Sequence, residues 1–157
     1  MAILTIGMPC SLCGERIEER DPVAMFPAFI SNELDPCYQF SDGAFHEACF
    51  RAHAHAADML RLVETLFSKS GPGKRQCAVC RNEILHYTEY VSTEYLSGRD
   101  GDPLHTFNYF HFHRACLANW ESRQRFIDVA RAAIASGSWK GPSLAWLIDQ
   151  MEAHQHQ

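Results

Sequence analysis

The pattern of hydrophobic and polar positions predicts the same succession of elements twice along the chain. Each half opens with a Cys-x-x-Cys turn and continues through an extended stretch, RIEERDPVAMF in the first half and EILHYTEYVSTEYL in the second. The second stretch alternates Tyr, Val and Thr in the manner of a β-hairpin. A loop rich in Pro, Gly and Asp, a short aromatic strand and a helix follow. This order predicts an α+β fold.

Apolar residues at three- and four-residue spacing predict a helix after each aromatic strand. The first helix ends at SGPGK and the second at SGSWKGP, where Gly and Pro stop helices. A last helix, from about Pro142 to His154, has no counterpart in the first half and is expected to cap the assembly. The expected apolar faces are Ala56, Met59, Leu60, Val63 and Phe67, then Leu117, Trp120, Ile127, Ala130 and Ile134, and finally Leu144, Leu147, Ile148 and Met151.

The two halves match when the sequence is shifted by 67 positions. Ten of the 41 positions from 10 to 50 are then identical, where unrelated sequences would share roughly two or three. The matches extend beyond Cys and His, since Asp35-Pro36 falls on Asp102-Pro103. This periodicity indicates an internal duplication. It predicts a first zinc-binding unit at 1–70, a second at 75–136, and a C-terminal capping helix and tail at 137–157.

Cysteine and histidine occur at metal-ligand spacing in both units. Each Cys-x-x-Cys is followed 33 positions later by His-x-x-Cys, which is expected on the first turn of a helix, where residues i and i+3 share a face. Three thiolates and one imidazole suit zinc, and four protein ligands leave no open position for catalysis. The sequence therefore predicts two structural Zn²⁺ ions, one held by Cys10, Cys13, His46 and Cys49 and the other by Cys77, Cys80, His113 and Cys116.

The division of these eight ligands between two ions is a separate question. A duplicated unit had to fold around its own metal, which favours pairing within each unit. Crossed pairing, as in RING domains, would instead give one all-cysteine site and one site of two cysteines and two histidines. The seventh cysteine, Cys37, aligns with Leu104 and is expected to be a small buried residue.

A Cys-x-x-Cys turn, a β-hairpin and two ligands at a helix start resemble the treble-clef zinc finger. The resemblance rests on CSLC…HEAC and CAVC…HRAC and covers about residues 8–68 and 75–135. The ligand pattern is also similar to the first half of a LIM domain. The helix FRAHAHAADMLRLVETLF, however, stands where a LIM domain carries its second ligand set. Because treble clefs serve many functions, this resemblance leaves the function open.

Composition and charge add a cellular context. Hydrophobic residues make up 46% of the chain and charged residues 21%, as in globular proteins. The chain has no apolar run of membrane-spanning length, MAILTIGMPC lacks the basic region of a signal peptide, and metal-binding cysteines suit a reducing compartment. The cytosol is therefore the expected location. Residues 1–68 carry a net charge of −6 and residues 69–157 a net charge of +1, which would suit a basic partner.

The favoured function is a non-enzymatic, zinc-stabilised protein-binding module. In size, charge and architecture the chain is similar to the immunity proteins of bacterial toxin systems, which neutralise a cognate toxin by covering its active site. Aromatic side chains are common anchors of such interfaces. The residues expected to contact the partner are Phe26, Phe29, Asp35, Tyr38, Tyr90, Tyr95, Asp100 and Asp102.

Two alternatives remain, a nucleic-acid-binding zinc finger and an HNH-like nuclease. The balance of acidic residues weakens the first. A nuclease would need a catalytic histidine, for which His111 and His86 are the candidates. No other catalytic motif occurs, so the chain is predicted not to be an enzyme. Nucleic-acid contacts would come from Lys69, Lys74, Arg75, Arg81, Arg114, Arg123, Arg125 and Arg131.

Overall fold

The computed structural model describes residues 4–153, and it shows a mixed α+β protein with small sheets, as predicted. The two antiparallel sheets pair β1 (Val23–Met25) with β2 (Ala44–His46) and β3 (Tyr90–Ser92) with β4 (His111–His113). The α-helices are α1 (Glu47–Arg51), α2 (Ala56–Ser70), α3 (Arg123–Ala135) and α4 (Ser143–Glu152). Short 3-10 helices span Tyr38–Phe40, Tyr87–Glu89, Pro103–Phe107 and Arg114–Asn119.

The expected end of the last helix at His154 lies outside the described residues, and so does the tail behind it. Within the described range, no helix is both long enough and apolar enough to cross a membrane. The division of the chain into segments 1–70, 75–136 and 137–157 stays a prediction.

Backbone pairing is the same in both sheets when the halves are aligned by the sequence repeat. Val23 pairs with His46 in the first sheet, and the equivalent Tyr90 pairs with His113 in the second. An isolated β-bridge precedes each sheet in the sequence, and the two bridges are also related by this offset. The long stretch of the second half does not fold back on itself as the hairpin that its alternation predicted. Instead β3 pairs with β4, which lies beyond the intervening loop.

Side chains stabilise the long loops of both halves in the same way. The Oγ atom of Ser41 accepts hydrogen bonds from the N–H groups of residues 29 and 30, both at 3.0 Å. At the equivalent position, Asn108 Oδ1 accepts from the N–H groups of residues 96 and 97, at 2.8 and 3.1 Å. A loop that makes few backbone pairs thus obtains acceptors for its donors from one polar side chain.

The repeated Asp-Pro pairs form turns. Asp35 Oδ1 accepts a hydrogen bond from the N–H of Cys37 at 2.8 Å, and Asp102 Oδ1 accepts one from the N–H of Leu104 at 2.9 Å. A 3-10 helix begins at or just after each proline, whose fixed φ suits that position. The recurrence of Asp-Pro therefore reflects a turn that both halves need.

Two hydrophobic clusters make up the core. The first is formed mainly by the first half and includes the fully buried Phe40, Phe45 and Met59. The second includes Phe112 and Phe126, and α4 packs against α3 to complete it. The expected apolar face of α4 is confirmed, since its buried residues are Leu144, Leu147, Ile148 and Met151.

Loop residues join the two halves. Tyr95 of the second half is buried in the first cluster, and its hydroxyl donates a hydrogen bond to Asp35 Oδ2 at 2.9 Å. The segment between α3 and α4 also contacts the first half: the N–H of Lys140 donates to Asn32 Oδ1 at 3.0 Å, and its Nζ lies 2.9 Å from Glu33 Oε2.

The expected apolar face of α2 is partly wrong. Leu60 is 54% exposed and Phe67 is 59% exposed, whereas Ala56 and Met59 are buried. Apolar residues cover more of this helix than the core can bury, because Leu62 and Leu66 also pack against the first cluster. Periodicity alone could not show which part of this wide stripe faces inward.

The single helix expected after the second His-x-x-Cys is interrupted at Trp120. Leu117 therefore lies in a 3-10 helix, and α3 starts only at residue 123. Phe126 is fully buried on α3, a position that the expected face did not include, while Ile134 near its end is 41% exposed.

Alanine at Ser41 or Asn108 tests whether the two loops depend on their shared acceptor. Each change leaves two backbone N–H groups without that acceptor, so the free energy of unfolding should fall by about 1–3 kcal/mol. Chemical denaturation of the zinc-loaded protein at a fixed zinc concentration measures the loss. Ser68→Ala, at an exposed position of α2, is the control and should change stability by less than about 0.5 kcal/mol. Equal losses in all three variants would contradict this account.

Candidate metal centres

The eight residues predicted as ligands form two groups, and each group belongs to one half of the chain. Within a group, one ligand atom from each residue lies within 4.8 Å of all the others. The grouping is local, and crossed pairing is not observed. Each group could hold one metal ion, and three thiols with one imidazole are consistent with zinc. The groups are Cys10, Cys13, His46 and Cys49, and Cys77, Cys80, His113 and Cys116.

Each Cys-x-x-Cys lies on a tight turn that a backbone hydrogen bond closes. The N–H of Gly14 donates to the carbonyl of Cys10 at 2.8 Å, and the N–H of Arg81 donates to the carbonyl of Cys77 at 2.9 Å. Gly14 has a φ of 78° and Arg81 a φ of 66°. The left-handed conformation is easy for glycine but costs about 1–3 kcal/mol for a residue with a side chain. The second turn keeps this geometry without a glycine, which indicates that placing the two thiols requires it.

The histidine of the first group is the last residue of a strand, whereas the spacing had predicted it on the following helix. His46 ends β2, and its Nδ1 lies 3.4 Å from Cys13 Sγ and 3.9 Å from Cys49 Sγ. The pairing of β2 with β1 positions the ring, and the first turn of α1 brings Cys49 back toward it. The strand and the helix therefore each contribute one ligand.

The second group repeats this arrangement with one difference. His113 ends β4, and its Nδ1 lies 3.4 Å from Cys80 Sγ, the same distance as in the first group. Cys116, however, lies on the 3-10 helix Arg114–Asn119, whereas Cys49 lies on an α-helix. Two residues three apart also share a face of a 3-10 helix, so the spacing works in either case.

The far side of the His46 ring is also held in place. Its Nε2 lies 3.2 Å from the carbonyl oxygen of Arg16 and 3.3 Å from Asp21 Oδ2. Because Nδ1 faces the thiols, Nε2 is the nitrogen that donates its proton to these oxygens. Asp21 is not among the residues predicted from the sequence, since a contact between a loop and a distant strand leaves no spacing signature.

One cysteine of each turn is prepared to be a thiolate. Burial raises the pKa of Cys10, but hydrogen bonds from the N–H groups of Cys13, Leu12 and His46 outweigh it and bring the pKa down to about 6. Burial likewise raises the pKa of Cys77, and backbone N–H groups, the first of them that of Cys80, lower it to about 6. The tight turn therefore stabilises negative charge on sulfur before any cation contributes.

Other ligands retain their protons at neutral pH. Hydrogen bonding to Cys13 raises the pKa of Cys49 to about 11, and burial raises that of Cys116 to about 12. Hydrogen bonding to Cys13 also raises the pKa of His46 to about 9. A metal ion must displace these protons to reach all four ligands, which couples metal binding to pH.

Cys37 belongs to neither group and is buried, as expected. Burial raises its pKa to about 11, and the negative charges of Asp35 and Asp58 contribute to the shift. A thiol that keeps its proton is a poor nucleophile and a poor metal ligand.

The two histidines named for a nuclease have different surroundings. His111 is buried, its Nδ1 lies 2.7 Å from the Tyr90 hydroxyl, and its Nε2 lies 3.0 Å from the carbonyl oxygen of Lys69. Both ring nitrogens thus have partners, and the ring ties β4 to the end of α2. His86 is exposed, and neither histidine belongs to a metal-ligand group of residues 4–153.

Three of the eight residues expected to contact a partner are core residues instead. Phe26 is 6% exposed, Phe29 3% and Tyr95 5%. Tyr38, in contrast, is 39% exposed. Aromatic residues in short strands and loops serve cores as well as interfaces, and the sequence could not separate the two roles.

Counting metal ions in cysteine variants tests the local grouping. The zinc-loaded protein should carry two ions, whereas Cys49→Ser and Cys116→Ser should each retain one, because each change disrupts only its own group. Cys37→Ala, which alters a cysteine outside both groups, should retain two. Native mass spectrometry gives the count. Loss of both ions from a single ligand variant would contradict independent sites.

Zinc affinity should rise with pH. The thiols with raised pKa values are protonated throughout the range from about pH 6 to 8, so each ion that binds releases protons, and fewer protons compete as the pH increases. Competition against a zinc indicator of known pH dependence measures the slope. The Cys37→Ala variant should show the same slope as the unmodified chain. An affinity independent of pH would show that the ligands are already deprotonated.

The chain was compared with protein-family models, curated proteins and solved structures, and none of them matches it. The interpretation of the two centres therefore rests on the geometry of the chain's own residues.

Proposed function

We propose that this chain is a non-enzymatic protein-binding module made of two duplicated treble-clef-like units, each stabilised by one structural Zn²⁺. The observation that carries this proposal is the completeness of both ligand groups. Each brings three sulfur atoms and one imidazole nitrogen together from the protein itself. Four protein ligands are typical of structural zinc, whereas a catalytic zinc keeps a position for water.

The repeated local structure supports the duplication. The pairing of the strands, the hydrogen bond that closes each Cys-x-x-Cys turn and the side-chain acceptor in each long loop all recur at the offset of the sequence repeat. They recur even at positions where the side chains differ. A Cys-x-x-Cys turn beside a strand pair that ends on the histidine ligand, followed by a helical turn with the last cysteine, is the arrangement expected of a treble clef.

The metal ions would contribute mainly to folding. Each unit has a small hydrophobic cluster and short strands, so burial alone supplies limited stability. Binding of one structural zinc provides on the order of 10–16 kcal/mol that is released only when the unit folds. The surface of each unit is then free to serve as a binding site.

Binding is favoured over catalysis by the state of the reactive side chains. Both nitrogens of His111 are engaged in hydrogen bonds, and the raised pKa of Cys37 keeps its thiol protonated. An HNH-like nuclease is therefore the least supported alternative.

Nucleic-acid binding is also less well supported, because several of the basic residues have partners within the chain. Arg131 contacts Glu152 at 2.6 Å, and Arg75 Nε donates to the carbonyl of Ser70 at 3.0 Å. The Arg125 guanidinium lies 5.8 Å from the centre of the Phe107 ring. These contacts leave fewer free cations for phosphate groups.

Charge favours a basic protein as the partner. Residues 1–68 carry a net charge of −6, which would attract and orient a cationic protein. None of the seven cysteines forms a disulfide, as is usual in a reducing compartment, and this supports a cytoplasmic location. An immunity protein that neutralises a basic toxin is the specific role that we propose.

Co-expression with the product of the neighbouring gene tests this role. If that product is a toxin, the chain should form a stoichiometric complex with it and restore growth, and Cys49→Ser should weaken the rescue because its unit loses zinc. Fluorescence titration with DNA and RNA near physiological salt is the parallel measurement, for which we expect no binding. Salt-dependent nucleic-acid binding without a protein partner would favour the alternative.

A further inference from the structure

The two halves of the chain differ in what covers their long helix. In the second half, α4 packs against α3 and buries four apolar side chains in the core. Among residues 4–153 the first half has no helix that corresponds to α4. The flank of α2 equivalent to the α4 contact therefore faces solvent.

Equivalent positions show the difference directly. Leu60 on α2 is 54% exposed, whereas Ile127, which is 67 positions later on α3, is fully buried. Met25 on β1 is 40% exposed, whereas the equivalent Ser92 on β3 is 9% exposed. Phe67, near the end of α2, is 59% exposed. At Leu60 and Met25 the first half thus exposes apolar side chains whose counterparts are buried in the second, whereas Phe67 has an exposed counterpart in Ile134.

The open flank of α2 borders a groove along β1. Residues of β1 and Leu60 line one cavity of about 450 Å³. Phe67 and the loop after β1 line another of about 450 Å³. Met25 and Phe26 line both cavities, so the two are neighbours along β1, and together they are called the groove here. At a rise of 1.5 Å per residue, α2 is about 22 Å long and α4 about 15 Å. A helix of the length of α4 is therefore shorter than α2.

In the second half, two cations of the unit hold α4. Arg131 lies 2.6 Å from Glu152, and Arg114 donates a hydrogen bond to Gln150. These contacts lie near the end of α4 and add polar anchors to its apolar packing.

In the first half, both cations are replaced by acids. Position 64, equivalent to Arg131, is Glu64, and position 47, equivalent to Arg114, is Glu47. Glu47 lines the groove, and it forms an exposed ion pair with Arg51. Glu64 lies on the same flank of α2 as the exposed apolar residues and makes no ion pair with any other residue of the described range. Glu47 and Glu64 would thus meet a bound helix where Arg114 and Arg131 meet α4, while Arg51 and Arg75 also line the two cavities.

We propose that the groove between β1 and α2 binds an amphipathic helix of a partner protein, in the way that the second half binds α4, and that this helix carries Lys or Arg facing Glu47 and Glu64. The inference deepens the proposed function and rests on it. The helix should present apolar residues at i, i+3, i+4 and i+7. The chain itself displays that spacing in Leu144, Leu147, Ile148 and Met151.

Two peptides based on α4 provide the probes. The first has the sequence of residues 142–153, PSLAWLIDQMEA, and the second carries Gln150→Lys and Glu152→Lys. Each is titrated into the full zinc-loaded chain, and NMR chemical shifts locate the contact. We expect the lysine peptide to bind at α2 about three- to tenfold more tightly at low salt, because it faces two carboxylates. The difference should shrink at high salt, where exposed charges are screened.

Variants of exposed positions provide matched controls. Glu64→Lys should reverse the order of the two peptides, and Phe67→Gln should weaken both. Ile134→Gln alters the equivalent position of α3, which is 41% exposed, and should leave both affinities unchanged. All three substitutions lie on the surface, so the fold and the zinc content should be retained.

Several outcomes would overturn this assignment. The assignment fails if Glu64→Lys leaves the preference for the lysine peptide unchanged. It also fails if the NMR chemical-shift changes are confined to α3, or if neither peptide binds at about 1 mM. Self-association of the chain that Phe67→Gln abolishes would show that the groove binds a second copy of the chain, and this would also overturn the assignment. If a whole partner binds the Phe67→Gln and Glu64→Lys variants normally, the groove is excluded while the proposed function stands. Absence of any partner, in contrast, counts against the proposed function.

Discussion

Bringing a Cys-x-x-Cys turn onto a His-x-x-Cys segment that lies far along the chain is the constraint on which the rest of the structure depends. Closing such a loop costs chain entropy, and gathering three thiols with an imidazole adds the cost of concentrating ionisable groups. The fold reduces these costs locally. Backbone N–H groups stabilise one thiolate in each turn, and a three-residue strand positions the histidine. The cation proposed for each group would supply the remaining attraction.

The same frame supports two different surfaces. Both halves use equal strand register, equal turns and equivalent loop acceptors, so their backbones are constrained alike. Their helices have different surroundings. The second half covers its long helix with α4, whereas the first leaves Leu60 and Phe67 in solvent. The two halves therefore present different surfaces to solvent.

Several contacts join the two halves of the chain. Tyr95 enters the first cluster from the second half, and the segment after α3 makes hydrogen bonds with the loop around Asn32. These contacts hold loops of the first half against the second half. The apolar flank of α2 is already formed, so the binding proposed for it would need little rearrangement.

Much of this arrangement follows from the sequence alone. Residue identity and local spacing can be read directly from the sequence. They determine the two ligand sets, the repeat offset, the Asp-Pro turns and the apolar face of α4. Tertiary structure decided the rest. It placed Phe26, Phe29 and Tyr95 in the core, gave His111 two structural partners, and turned Leu60 outward. Those outcomes depend on which distant segment covers each side chain, and spacing along one segment carries no information about that.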